Sequence, residues 1–325
     1  MTRAVPAAVR LAVAVGLTAY VLWKSDPSAA LGALRGVDWR YIAAAAGLVL
    51  IDRALMAYRW LVLLRPLPSA SRLPFRSVLR VFFVSTFVGT FLPASVGGDA
   101  VRSIALSRHA VPLTDVVASV LLDRVFGILG ILLVAAVAVV SASAAVPGWL
   151  PGATVATAAA ASLGLAVTLL SAGAQRTAQR LVDGLPAGRL RRVGTDGLEA
   201  LRTYRSAPAA LWNVLAGSVG VQLLRVWQAW LLGLAVGIVL GPVPYLVYVP
   251  IVLLVMLLPI TINGLGTSQA AFVYLFGLSG VAEWDAFALS VLFVALGIVG
   301  NLPGAALYVS GGLGGPRDRI ASSAG

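Results

Sequence analysis

The sequence predicts an all-α polytopic membrane protein made of two inverted repeats, each with three spanning helices and one re-entrant broken-helix hairpin. Three observations predict it. Of the 325 residues 60% are apolar and 11% charged, with a mean hydropathy of +0.96, a composition that suits a bundle of spanning helices and no ordinary aqueous domain. Two hydrophobic segments break at matching places, Leu92-Pro93-Ala94-Ser95-Val96-Gly97-Gly98 and, 166 residues on, Leu258-Pro259-Ile260-Thr261-Ile262-Asn263-Gly264. Paired broken helices in two halves mark a transporter with its binding site at the repeat interface. The third observation is the placement of arginine, which decides the topology below. The chain reads as a single membrane domain, 1–325, divided into a first repeat 1–144, a second repeat 145–312 and a cytoplasmic tail 313–325.

In order, residues 7–23 form a first span; Arg3 and Arg10 precede its apolar run at 11–23 as in a signal peptide, but the many spans that follow and the lack of a clear A-x-A site make it an uncleaved signal anchor. Residues 41–64 form the second span, with Asp52, Arg53 and Arg59 inside it. A connector at 65–80 carries Arg65, Arg72, Arg76 and Arg80 and no acid. The first broken segment, 82–108, turns on Pro93, Gly97 and Gly98. An apolar run at 113–144 contains Asp123 and Arg124, a charge-free stretch follows at 141–152, and an Ala-rich span reaches residue 172. The connector at 173–206 is again Arg-rich. Residues 212–240 form a span with Arg225 near its middle, the second broken segment at 243–278 turns on Pro259, Gly264 and Gly266, and 283–309 is the last span.

Short cytoplasmic loops carry the excess of Lys and Arg. If both broken segments crossed the membrane, the two Arg-rich connectors would face opposite sides. If both are re-entrant, 17 basic residues share the cytoplasmic side with both termini, and three, Lys24, Arg35 and Arg40, lie outside. Three crossings per half then invert the second repeat, so the two hairpins enter from opposite sides and their turns approach the midplane. Irregular backbone survives at that depth only when buried in protein or beside a wet cavity.

Charges within spans mark the candidate site. Asp52, Arg53, Asp123, Arg124 and Arg225 lie about ten or more residues from their span ends, and each costs ~2.5–3.5 kcal/mol at a helix centre on the insertion scale. Two readings stand: each Asp neutralises an Arg on another helix and fixes packing, or the surplus Arg faces a polar cavity. An anionic headgroup is the natural partner of a surplus guanidinium, which grips phosphate with a bidentate fork. The turns add backbone N–H donors at half-helix starts. Asp99 either caps a half-helix starting at Ala100 or pairs with Arg102 to gate the cavity. Asn263, Thr267, Ser268 and Gln269 serve as caps or cavity-lining hydrogen-bonders. Arg59 snorkels to the headgroups, and His109 is a surface residue.

The net charge of +12 is dispersed between spans instead of forming one basic face, which argues against nucleic acid. With no Cys and one His, neither a thiolate metal site nor a cysteine nucleophile is available. No cofactor is expected.

The pattern F-x-G-x-x-L-P-x-x-x-G-G-D-x-x-R from Phe87 to Arg102, the Leu122-Asp123-Arg124 triplet and the Gly264-Leu265-Gly266 turn resemble the transmembrane domain of lysylphosphatidylglycerol synthase, a flippase-like domain of the multiple peptide resistance factor type. The resemblance implies lipid translocation between leaflets without the synthase domain of two-part members. Family members often carry an acidic residue after the second Gly turn, where Ser268 and Gln269 stand here. The expected function is a non-enzymatic flippase of the inner membrane, moving an anionic lipid or lipid-linked glycan. Arg53, Arg102 and Arg124 hold the headgroup, assisted by Asp99, Asp123, Arg225, Asn263 and Gln269. The alternatives are a membrane-embedded transferase acting on a lipid phosphate and a non-transporting scaffold for an envelope-synthesis partner.

Overall fold

The computed structural model describes residues 36–91, 97–108, 111–141, 149–184, 188–257 and 267–310. The expected first span, Pro93, Pro259, Asn263, Gly264, Gly266, His109 and the tail lie outside these residues.

Every regular element among the described residues is an α-helix: α1 Trp39–Leu64, α2 Phe75–Gly89, α3 Gly97–Ser107, α4 Leu113–Ser141, α5 Trp149–Leu170, α6 Ala172–Asp183, α7 Arg189–Arg205, α8 Pro208–Ala235, α9 Pro242–Leu257, α10 Thr267–Gly277, α11 Glu283–Val299 and α12 Pro303–Val309. The order long, short, short, long occurs twice, as α1 to α4 and again as α8 to α11 with α12. Among the described residues four stretches are long and apolar enough to cross a membrane, namely α1, α4, α8 and Glu283–Val309. Within α5 the apolar stretch is the shorter Gly152–Leu165. Large apolar side chains such as Ile51, Val137, Leu163 and Tyr274 stand exposed along these helices, as a hydrocarbon solvent permits.

The ends of these helices follow local chemistry. Asp38 caps α1, its Oδ1 accepting the Arg40 backbone N–H at 2.9 Å. Gly237 and Gly280 take φ of 85° and 77° after α8 and α10. There Ile238 N–H reaches Gly233 O at 2.9 Å and Val281 N–H reaches Phe276 O at 3.2 Å, the paired closure that a left-handed residue makes possible. Inside α9, Pro250 leaves the Leu246 carbonyl without its helical donor.

The chain forms two compact units, and each draws on both sequence halves. The first contains the residues up to Ala54, Leu79–Ala105 and those from Leu223 on. In it α10 packs on α9 and α11. Phe276 of α10 meets Tyr245 at 4.8 Å, Tyr248 at 5.3 Å and Phe272 at 5.6 Å between ring centres. These aromatic contacts fix the arm that follows the second break. The arms around the first break, α2 and α3, cross backbone to backbone. A Cβ at Gly89 would lie 2.6 Å from Gly98 Cα, so neither glycine admits a side chain without a shift of main chain.

The second unit contains Leu55–Val78 and Leu106–Gln222. The sequence reads 173–206 as a polar connector; it folds into α6 and α7, which pack on each other and on α5, with α7 also on α4. Among its described side chains the buried ones, Ala200 and Tyr204, stand one helical turn apart. Tyr204 donates its hydroxyl to Leu63 O at 2.7 Å, satisfying a carbonyl in the last turn of α1. Burial, with the Asp115 charge adding to it, pushes this phenol above its ordinary value. A phenol raised on folding contributes stability in full below the ordinary value of about 10 and loses it only as the medium becomes more alkaline. Tyr204→Phe leaves that carbonyl without the hydroxyl, and we expect a loss of about 1–3 kcal/mol in thermal or denaturant unfolding of the purified protein.

Candidate functional site

In the first unit two helices bring three charges together. Asp52 and Arg53 stand near the middle of α1 and Arg225 well inside α8. Asp52 is 1% exposed. Its Oδ2 accepts from Arg53 at 2.6 Å, and its Oδ1 lies 3.4 Å from Arg225 Nε. A carboxylate taken out of water needs such partners, and two guanidinium groups supply them. The side chains of Arg53 and Arg225 are 14% and 21% exposed. Two cations face one anion, so these three groups carry a net positive charge.

Arg53 is held further by the segment from α11 to α12. Its Nε donates to Asn301 Oδ1 at 2.9 Å, and a terminal nitrogen donates to Gly297 O at 3.2 Å. Asn301 in turn donates from Nδ2 to Thr90 Oγ1 at 2.9 Å, and Thr90 donates to Thr86 O at 2.8 Å. Both faces of the Asn301 amide are therefore used, and the network runs from α1 to the end of α2, where the first break begins. Glycines let this segment come close: a Cβ at Gly304 would meet Phe87 Cβ at 2.7 Å, and one at Gly300 would overlap Val49.

Arg102 belongs to the same unit. Gly97 and Gly98 open α3, so that helix starts before Ala100 and Asp99 falls in its first turn, where the helix dipole favours an acid. Asp99 Oδ1 accepts from Arg102 at 3.0 Å. Arg102 is 4% exposed and lies 5.7 Å above the Phe82 ring. In the first turn of α10, buried Ser268 donates to Gln269 Oε1 at 3.0 Å.

Asp123 and Arg124 lie in the second unit, on α4. Asp123 is buried against Arg59, whose Nε donates to its Oδ1 at 2.8 Å while a terminal nitrogen donates to the Asp123 carbonyl at 3.3 Å. Arg59 also donates to Ser218 Oγ at 3.0 Å. This corrects the expectation that Arg59 snorkels: at 3% exposure it reaches no headgroup, and its guanidinium is turned into the protein. Gly127 and Gly217 border it, and ideal Cβ atoms there would lie 3.6 Å and 3.7 Å from the Arg59 side chain, at ordinary contact distance. Asp123 is thus paired with an Arg of another helix, and Arg124 is half-buried beside it.

Asn301 and Thr90 are the members of the Arg53 network that the sequence reading missed. A signal existed in Gly297-x-x-Gly300-Asn301-x-x-Gly304, where small residues at helix-packing spacing surround one amide in an apolar span.

A multi-pass helical membrane protein with paired charges inside its spans is what the fold and the site together describe. No curated protein matches the sequence. Residues 7–304 match the family described as the lysylphosphatidylglycerol synthase TM region, nearly the whole chain. The chain belongs to this lysylphosphatidylglycerol synthase transmembrane-region family.

Proposed function

We propose that this protein is a transporter that moves an anionic phospholipid or lipid-linked envelope precursor between the leaflets of the cell membrane by alternating access. The observation that carries the reading is the Asp52, Arg53 and Arg225 cluster, positive in sum, partly accessible and set in the middle of two spanning helices. Charge at that depth is costly unless opposite charge meets it, which makes a cluster of this kind a place for an anionic group. Arg225 has the more exposed side chain of the two, so it is the arm that engages the headgroup. Arg53, with three protein acceptors, is the fixed post.

Supporting observations come from the chain's organisation. The doubled order of long, short, short and long helices suits two repeats, and the Arg distribution inverts one against the other, with re-entrant hairpins and both termini cytoplasmic. The activity is translocation and not bond-making. Asp99 and Arg102 are proposed as a gate beside the first break, and Asn263 and Gln269 as polar lining at the second. Asp123 and Arg124 are assigned to the second unit's framework and not to the headgroup.

The test is flipping of a fluorescent phosphatidylglycerol in proteoliposomes, with fluorescent phosphatidylcholine as the comparison. Wild-type protein should move the anionic lipid faster, and Arg225→Gln should slow it at least tenfold, about 1.4 kcal/mol of lost interaction, with folding unchanged. Equal rates for both lipids, or a fully active Arg225→Gln, would remove the proposal.

A further inference from the structure

We infer that the outer face of α6 and α7, together with the connector at 65–78, is a docking surface for the anionic headgroups of the lipid leaflet around this end of the second unit. The surface is separate from the Asp52 cluster, and the inference does not rest on transport.

Connectivity fixes where this surface stands. α5 ends at Leu170 and α6 begins at Ala172, while α7 ends at Arg205 and α8 begins at Pro208. Links this short give the helix pair no reach away from the helices it joins. Two side-chain bonds hold the same end from within. Tyr204 of α7 donates to Leu63 O in the last turn of α1 at 2.7 Å, and Ser69 of the connector donates to Asp115 in the first turn of α4 at 2.6 Å. The surface therefore lies where the long apolar helices α1, α4 and α8 reach their ends, the headgroup level of a bilayer.

Its chemistry suits that level. The connector, α6 and α7 carry ten Arg against three acids, Asp183, Asp196 and Glu199. Asp183 is met by Arg191 at 3.4 Å. Arg65, Arg72, Arg76, Arg180, Arg202 and Arg205 are exposed. The inner sides of the helices are used in packing: Ala200 and Tyr204 are buried, and a Cβ at Gly194 would lie 3.0 Å from Val182. Outside that seam stand two apolar side chains, Leu181 beside Arg180 and Phe75 beside Arg76, 71% and 39% exposed. An interfacial segment uses this pairing, the apolar group entering the acyl boundary while the long cation reaches phosphate. A soluble acidic partner would use the charge but gain nothing from Leu181 and Phe75. Basic groups near a bilayer surface attract anionic lipid, and salt screens the attraction.

The experiment uses the full chain, which has no Cys, so that Thr177→Cys takes a single bimane label on the exposed side of α6, one turn before Leu181. The labelled protein is placed in phosphatidylcholine liposomes holding a minor fraction of phosphatidylglycerol or phosphatidylcholine brominated high on the acyl chains. At low salt the brominated phosphatidylglycerol should quench about threefold more than the brominated phosphatidylcholine. Salt at about 0.5 M should remove that excess. The combined Arg180→Gln, Arg202→Gln and Arg205→Gln form should lose it at low salt. Equal quenching by the two lipids at low salt overturns the inference, as does an excess that survives both salt and the triple substitution. Quenching by neither lipid puts the face in water, open to a soluble acidic partner, and overturns it too. Should the triple variant fail to fold, the two-lipid comparison and its salt dependence decide, and an excess that salt does not reduce counts against the inference.

Discussion

Alanine at Asp123 is expected to destabilise the protein by about 3–5 kcal/mol, enough to remove most of the folded material from a detergent preparation. Breaking a buried ion pair by removing one partner leaves the other charge buried and uncompensated, and losses of this size are typical. Here that charge is Arg59, 3% exposed and surrounded by Asp123, Ser218 and the flanks of Gly127 and Gly217. Its side chain leaves α1 well inside the helix and is turned into the protein. The expected partner experiment is the double exchange Arg59→Met with Asp123→Leu. Apolar residues of similar volume replace a buried pair at little cost, so the double variant should lie within about 2 kcal/mol of wild type, far above the sum of the single losses. Denaturant unfolding of the four proteins of this cycle measures both numbers. Flipping by the double variant at the wild-type rate would establish the pair as framework; loss of flipping in a stable double variant would return Asp123 to the site.

This pair also shows where sequence reasoning stops. That Asp52, Arg53, Asp123, Arg124 and Arg225 lie inside spans is legible, because an apolar run around a charge is a local property. Which cation meets which anion is not, because pairing depends on how each helix is rotated about its axis. Arg59 and Asp123 are 64 residues apart and find each other through helix packing alone. Charge bookkeeping along the chain left one cation over among Arg53, Arg124 and Arg225. In the fold Asp52 takes two cations, and Asp123 takes a third, Arg59, that the sequence assigned to the headgroups. The helices flanking the two breaks were legible from Pro and Gly within apolar runs. The helices of 173–206 were not, because seven arginines hide a narrow apolar stripe whose worth depends on α4 and α5 being beside it. Asn301 was passed over for a simpler reason: a neutral amide in an apolar span carries no charge to flag it, and its value comes from Arg53 on one side and Thr90 on the other.

Replacing Asn301 is expected to have the largest effect on transport among the uncharged positions. The amide accepts from Arg53 and donates to Thr90, so it links the fixed cation of the cluster to the end of α2 at the first break. Asn301→Leu removes both links and takes an acceptor from a guanidinium in a membrane span, where a lost hydrogen bond to a charged group is worth more than about 1.5 kcal/mol. Asn301→Asp keeps the acceptor, loses the donor, and adds a negative charge that cancels the surplus of the cluster. Each should slow flipping of phosphatidylglycerol about a hundredfold, equivalent to ~2.7 kcal/mol, the aspartate by weakening lipid retention and the leucine by misplacing Arg53. Thr90→Val breaks only the far link, leaves Arg53 held, and should cost about tenfold, or ~1.4 kcal/mol. If the three residues act as one chain, Thr90→Val added to Asn301→Leu costs nothing further, because the link it would cut is already gone. Independent, multiplying losses in that double variant would mean that Asn301 only packs α11 against α1, and that the first break moves without reference to the charge beside it.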